Sequence, residues 1–397
     1  SQYLQNCYRL SNFISRKGGF DFMKVKHNIA RIEFMMSLYK MTVDELLLHI
    51  NMGLKKLITA DDLFGEEIEI NHLKRIDKIF NKGLHYYLDE KPPVKTEDAS
   101  IFFRKENFIS DLNLESLKIV NRFEELKLSL EAISNLADIK RDRLLPIFST
   151  NDNPNDVALA LSKHLYPAFE RNKRDFLKAL INRFAEYNIL VFEFIETWNK
   201  KENANIDGFY LRPNVIVLKR QQNAFSREIF TLIHELGHYL LNIEEVEQID
   251  VLNLSRKELS AVERWCNEFA FYFLAGDRAK EISELGRLDE RNDYHFDNVT
   301  RISSETHLSK LAIYTRLLFS GQISQSNYDR VRSDLEEKYR LRQEEKARQK
   351  EIDKMLGVKS KGSAPKPINS PLFISTVQIA YYEGIMNEAD VCRTLNA

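Results

Sequence analysis

The chain has 397 residues, which suggests two or three domains, and its 43% hydrophobic content is ample for packed cores. Its formal net charge of −1 carries no global basic signature for nucleic acid or membrane, and no apolar run is long enough to span a bilayer. Cys7, Cys266 and Cys392 are too widely spaced for a zinc finger or a disulfide framework, and no signal-type apolar segment is visible, so a cytoplasmic protein is expected.

Residues 1–22 read as an arm. Met23-Lys24-Val25-Lys26-His27-Asn28 reads like a chain start, and the codons available to Lys17-Gly18-Gly19 can spell a ribosome-binding site at a sensible distance before it. The arm is therefore either translated upstream sequence or an ordinary polar extension. Residues 23–90 form the next expected unit, built of short helices. Thr42 and Glu45 match a capping box for a helix from Val43 to about Ile50. Gly53 is a turn, Leu54 to Ile58 reads as another short helix, and His72 to Phe80 as a further one. Asp61, Asp62, Glu66, Glu67 and Glu69 crowd the region after the turn, where a DNA reader needs donors for phosphates and bases.

Residues 91–154 are expected to be a helical connector. Lys91-Pro92-Pro93 marks a linker, Leu114 to Leu136 has long helical periodicity, and Asn151-Asp152-Asn153-Pro154-Asn155 is a loop. Helices follow at Val157 to Leu165 and Arg174 to Tyr187, then a strand at Ile189 to Phe194, a charged loop at Trp198 to Ala204, and an apolar strand Val215-Ile216-Val217-Leu218. Two long helices are predicted next, Arg227 to Leu241 with Ser226 as N-cap, and Arg256 to Ala275. His307 to Ser320 is helical in pattern and reads as packing beneath these helices. Residues 331–367 are a charged helix, Asp334 to Met355, and a flexible linker rich in Lys, Gly, Ser and Pro. Residues 368–397 regain apolar periodicity through Phe373, Val377, Ala380 and Ile385, with a turn at Gly384.

The chemistry sits in His234-Glu235-Leu236-Gly237-His238, an H-E-x-x-H string within a helical apolar pattern. Two histidines four apart share one helix face, so both imidazoles can reach one metal ion, and the glutamate between them can act on a metal-bound water. Catalytic zinc usually takes a third protein ligand and keeps one open position. Glu263 falls on the apolar face of the next helix with Leu259, Cys266, Ala270 and Leu274, where an unpaired carboxylate is costly and a metal would partner it. A salt bridge to Arg256 or Arg264 is the other reading of Glu263. Glu268 is a rival ligand that helical geometry points elsewhere, and Cys266 reads as a small core residue. Asn267, one turn after Glu263, can accept from the outer N–H of a metal-bound histidine.

These residues, with Asp207-Gly208-Phe209, the strand 215–218 and Glu263-Arg264-Trp265-Cys266-Asn267-Glu268-Phe269-Ala270, resemble the ImmA/IrrE family of metallopeptidases over about Ile206 to Leu274. The family's E-x-x-A-N-x-F-A pattern is kept except that Cys266 replaces alanine, a small-for-small exchange. The resemblance implies an α+β, mostly helical fold with a zincin-like peptidase core and a small β-sheet, here within residues 155–330 and flanked by helical domains. It implies Zn2+ held by His234, His238 and Glu263, with Glu235 as general base. It also implies a protein substrate, a DNA-binding repressor whose cleavage releases stress, phage-related or mobile-element genes. Residues 23–90 resemble a degenerate Xre-type helix-turn-helix domain, often fused before this peptidase, whose acidic turn favours protein contact over DNA binding. Ser100 to Lys105, Leu308 to Leu317 and the C-terminal segment resemble further stretches that accompany the peptidase.

On this reading a peptide substrate pairs with the edge of the sheet near 189–194 and 208–219. Tyr210 and His295 are the candidates for an added oxyanion donor. The competing readings are a zinc-containing regulator or toxin–antitoxin component that binds without cutting, and a DNA-binding repressor using residues 27–88.

Overall fold

The computed structural model of the protein describes residues 23–93, 112–195, 203–220, 225–244, 260–357 and 366–395. The expected arm at 1–22 and the stretch 100–105 lie outside the described residues, as do 198–202 of the charged loop, 256–259 of the second long helix and 358–365 of the linker. The chain divides into two compact units between Asn121 and Arg122. The fold is a mostly helical α+β arrangement with one two-stranded and one three-stranded sheet among the described residues.

The first unit contains β1 (Lys24–Lys26), α1 (Ile29–Leu38), α2 (Val43–Asn51), α3 (Ala60–Phe64), β2 (Glu67–Glu69), α4 (Ile70–Phe80) and α5 (Leu84–Leu88). The capping box at α2 is present, with Glu45 N donating to Thr42 Oγ1 and Thr42 N donating back to the Glu45 carboxylate. Leu54 to Ile58 is not helical, contrary to expectation. Asn51 instead pins Ile58 through both its backbone N–H and carbonyl, and a second capping box, Thr59 with Asp62, starts the short α3. Side-chain bonding to the backbone here outcompetes a weak helical pattern. The acidic residues have structural work as well: β1 and β2 pair antiparallel with Lys24 opposite Glu69 and Lys26 opposite Glu67, so cross-strand charges are complementary.

In the second unit, α6 (Leu114–Leu136), which begins before the division, is followed by α7 (Pro154–Leu165), α8 (Lys173–Glu186), β3 (Leu190–Ile195), β4 (Gly208–Leu211) and β5 (Val215–Arg220). The strand order is β3-β5-β4, with β3 parallel and β4 antiparallel to β5. All of β5 is buried, which explains an apolar run without alternation: both sheet faces are covered. Val191, Tyr210, Ile216 and Leu218 join the main core. On the other face the Phe123 ring of α6 lies 5.5 Å from Phe192 and 6.4 Å from Phe209.

The main core is closed by α9 (Phe225–Leu241) and α10 (Ala261–Ala275). Helix α9 starts before Ser226, so Ser226 is not its N-cap; its hydroxyl accepts from Lys173 Nζ at 2.6 Å. Helix α10 starts later than expected, at the N-cap Ser260. The segment leading into α7 crosses the end of α9, where Arg143 Nη2 donates to Tyr239 O and Phe148 N to Leu240 O. These donors satisfy carbonyls that a helix end leaves open. Trp265 Nε1 donates to Asp152 O at 2.8 Å and fixes α10 to the same segment.

After α10 come α11 (Arg278–Glu284), a 3-10 turn (Glu290–His295), α12 (Phe296–Thr306), α13 (Lys310–Phe319) and α14 (Gln325–Met355). Ile313, Tyr314 and Leu317 of α13 are buried in the core, in line with a packing role for that piece. The tail forms α15 (Pro371–Tyr382) and α16 (Glu388–Leu395), with Gly384 at φ 72° in the turn between them. Phe373 of α15 meets Phe192 edge-on at 5.5 Å, so the tail helps α6 to cover the outer sheet face. No helix among the described residues is long and apolar enough to cross a membrane.

Candidate metal centre

The apolar positions Ile229, Leu232, Ile233, Leu236 and Leu240 seat α9 in the core and thereby carry His234, Glu235 and His238 inside. Gly237 makes the next step possible. A Cβ there would sit 3.0 Å from Cys266 Sγ and 3.1 Å from Cys266 Cα and Cβ. The missing side chain lets α9 and α10 approach backbone to backbone.

On α10, Ser260 Oγ accepts from the backbone N–H of Glu263 at 3.1 Å. That cap satisfies one of the open donors of the first turn. The Glu263 carboxylate turns instead to the histidines. Its Oε2 lies 3.0 Å from His234 Nε2 and its Oε1 lies 3.1 Å from His238 Nε2. The two Nε2 atoms are themselves 3.1 Å apart, and a set of ligand atoms from all three residues falls within 4.8 Å. Arg264 is not its partner, and Arg256 lies outside the described residues. Glu268 is drawn the other way, to Arg316 Nη1 of α13 at 3.4 Å.

This donor set fits a metal. Two imidazole nitrogens and a carboxylate converge on one point, and all three residues are buried. Two nitrogens facing each other at that distance share at most one proton, so the cluster is poorly satisfied by hydrogen bonds alone. Two His and one Glu form a common catalytic zinc set. Asn267 Oδ1 lies 3.1 Å from His234 Nδ1. The Nδ1–H donates to that carbonyl, which leaves the Nε2 lone pair facing the cluster. His238 Nδ1 has no such partner among the described residues.

Electrostatics separate the two glutamates. Burial raises the Glu263 carboxyl, but the flanking His238 and His234 outweigh it and hold the group well below the usual carboxylate range. Glu235 is pushed up to about 8, chiefly by burial; His238 opposes the shift, whereas Glu263 and Asp207 add to it. Its Oε2 is buried without a hydrogen-bond partner among the described residues. A carboxyl poised near neutral pH beside a metal-type cluster is placed for proton transfer.

Gly208 had no assigned role in the sequence, yet it packs against this glutamate. A Cβ on it would come within 2.7 Å of Thr231 Cγ2 and 3.2 Å of Glu235 Cγ. Only the quoted Asp207-Gly208-Phe209 string hinted at it, because the pairing of β4 with α9 is not visible in sequence spacing. Neither candidate oxyanion donor is joined to the cluster. Tyr210 Oη donates to Pro213 O at 2.8 Å and lies 3.1 Å from the Asn242 side chain, engaged as buried tyrosines are when they serve the fold. His295 ends the 3-10 turn, and its Nε2 is buried without a partner among the described residues.

Residues 186–318 match the Peptidase M78 family, described as an IrrE N-terminal-like domain. The matched stretch holds the three converging residues together with Glu235 and Asn267, and it supports a metallopeptidase-type module of the ImmA/IrrE kind. No curated protein and no solved structure matches the chain.

Proposed function

We propose that the protein is a zinc-dependent endopeptidase that hydrolyses a peptide bond in a protein substrate. The observation that carries this reading is the convergence of His234, His238 and Glu263 on one point, with a buried Glu235 whose Oε2 has no hydrogen-bond partner among the described residues. These three residues would hold the metal, and Asn267 would fix the His234 tautomer. Bound zinc supplies Lewis acidity, which makes water acidic enough to ionise near neutral pH and polarises a carbonyl.

The chain's own residues supply the rest. Glu235 takes a proton from water and returns it to the leaving amine, and positive charge at the three-ligand point favours the ionised form that this role needs. Gly208 leaves room for the Glu235 side chain, since a Cβ there would come within 3.2 Å of Glu235 Cγ. Strand β4 ends the sheet and packs against Glu235 at Gly208, with all four of its residues buried. A substrate that is a DNA-binding repressor follows from the family resemblance. The first unit is read as a protein-contact module, supported by exposed Asp61, Asp62, Glu66 and Glu67 where a DNA reader needs donors.

A non-catalytic zinc regulator is the second reading, and Glu235 disfavours it, because a structural site needs no general base. The deciding experiment changes Glu235 to Gln and follows zinc content and cleavage of a candidate repressor from the neighbouring gene. Zinc retained with cleavage lowered at least about 100-fold supports the proposal. Zinc retained with undiminished cleavage removes Glu235 from the chemistry.

A further inference from the structure

Away from the metal cluster, two carboxylates share one guanidinium in the interior. Arg220, the last residue of β5, is paired with Glu193 of β3 and through Nε with Glu228 Oε2 at 2.9 Å in the first turn of α9. The three side chains are only 1–3% exposed. Ionised, this triad has one negative charge in excess, which is costly inside a protein unless further donors meet it. The start of α9 offers one compensation, since a carboxylate is favoured at a helix N-terminus. Another comes from the tail. Glu193 Oε2 accepts from the backbone N–H groups of Ile368 and Asn369 at 2.7 and 2.8 Å.

The same triad ties together the sheet and the helix that bears the histidines. Arg220 stands just before α9 and Glu228 just inside it, so their ion pair sets how the first turns of α9 meet the sheet. His234 follows Glu228 by six residues on that helix. The tail is held independently by Phe373 against Phe192 and by Arg141 Nη2 donating to Thr376 Oγ1 at 2.6 Å. The loss of one backbone donor from Glu193 therefore leaves the tail with other anchors.

We propose that Arg220 is a positioning residue for the metal centre and that docking of the C-terminal tail contributes to its charge balance through Glu193. Seating of the tail and seating of the metal ligands are thereby one coupled equilibrium. A partner protein or a cut that withdraws residues 366–370 from Glu193 weakens the metal site from a distance. The inference rests on the reading of His234, His238 and Glu263 as metal ligands.

The test uses the full chain. Ile368→Pro removes one of the two tail donors, and Ile368→Ala keeps that N–H while removing most of the side chain. Zinc affinity is measured by chelator competition at a temperature where all variants are folded, and amide hydrogen exchange is followed over residues 225–233. Ile368→Pro is expected to bind zinc roughly tenfold more weakly than Ile368→Ala, in the range that outer-shell changes produce, and to exchange faster in α9. Glu193→Gln removes the excess negative charge that the tail offsets, so in that background Ile368→Pro and Ile368→Ala are expected to bind zinc alike. Equal affinities and equal exchange for the two Ile368 variants with Glu193 in place overturn the coupling. If the unaltered chain binds no zinc, the reading of the centre fails instead, and the exchange measurement alone then judges the tail.

Discussion

The narrow contact between α9 and α10 makes Gly237→Ala the most informative single change. The new methyl would lie 3.0–3.1 Å from three atoms of Cys266, one of them the backbone Cα, where ordinary carbon contacts need about 3.5–4.0 Å. The side chain of Cys266 cannot rotate out of the way of its own Cα, so the two helices must part by roughly half an ångström. Overpacking of this kind costs about 1–3 kcal/mol. Replacing a helical glycine by alanine returns up to about 1 kcal/mol. The net loss is then about 0–3 kcal/mol, or from nothing to roughly ten degrees in melting temperature at about 2–4 °C per kcal/mol. The effect on the metal is more telling. Glu263 rides on α10 and the histidines on α9, and ligand distances tolerate about 0.2 Å. Zinc affinity measured by chelator competition is therefore expected to fall by at least about tenfold, even where the melting temperature barely moves. Cys266→Ala should not rescue it, because the clash with Cα and Cβ remains. Unchanged zinc affinity in a folded Gly237→Ala protein would refute the claim that this approach places Glu263.

Three further outcomes can be checked. Asn267→Ala removes the acceptor for His234 Nδ1 and should weaken zinc binding about 10–100-fold without unfolding the protein; titration against a chelator reads this directly. In zinc-free protein, Glu235 has a folded pKa of about 8 against an ordinary 4.5, so the folded state holds an extra proton between those values. Its contribution is complete below about pH 4.5 and is lost as pH rises towards 8, at up to about 1.4 kcal/mol per pH unit. Melting of the chelated protein from pH 5 to 8 should fall accordingly, and Glu235→Gln should flatten the slope; a parallel decline in both proteins would dismiss Glu235 as its source. Glu263, shifted the other way, acts as pH falls below the ordinary carboxylate range. Phe123→Ala strips the contact that α6 makes with Phe192, Phe194 and Phe209. It should cost about 3–5 kcal/mol in urea unfolding, and a cost under about 1 kcal/mol would mean that α6 does not close that face.

Local chemistry made much of the chain legible in advance. The capping box of Thr42 and Glu45 acts within four residues, and the long periodicity of Leu114–Leu136 recurs as a helix with those bounds. His234 and His238 share a face because the helix repeat alone requires it, and Glu263 and Asn267 share one for the same reason. Helix ends were less legible. Ser226 looked like a cap but sits inside its helix, engaged by Lys173 from α8, and Leu54 to Ile58 lost its helical tendency to the bonds made by Asn51.

Thus the sequence by itself determined which side chains could act as ligands and which helix faces carry them, because those depend on spacing along one backbone. Tertiary structure decided how close the two ligand-bearing helices come, through the bare Cα of Gly237 against Cys266. It also decided that the back of the sheet is sealed by Phe123 and Phe373, both outside the 186–318 stretch that matches the peptidase family. The same holds for the buried union of Glu193, Arg220 and Glu228 with the tail. Each of these rests on residues far apart in the chain, whose meeting follows from packing and burial rather than from any local rule.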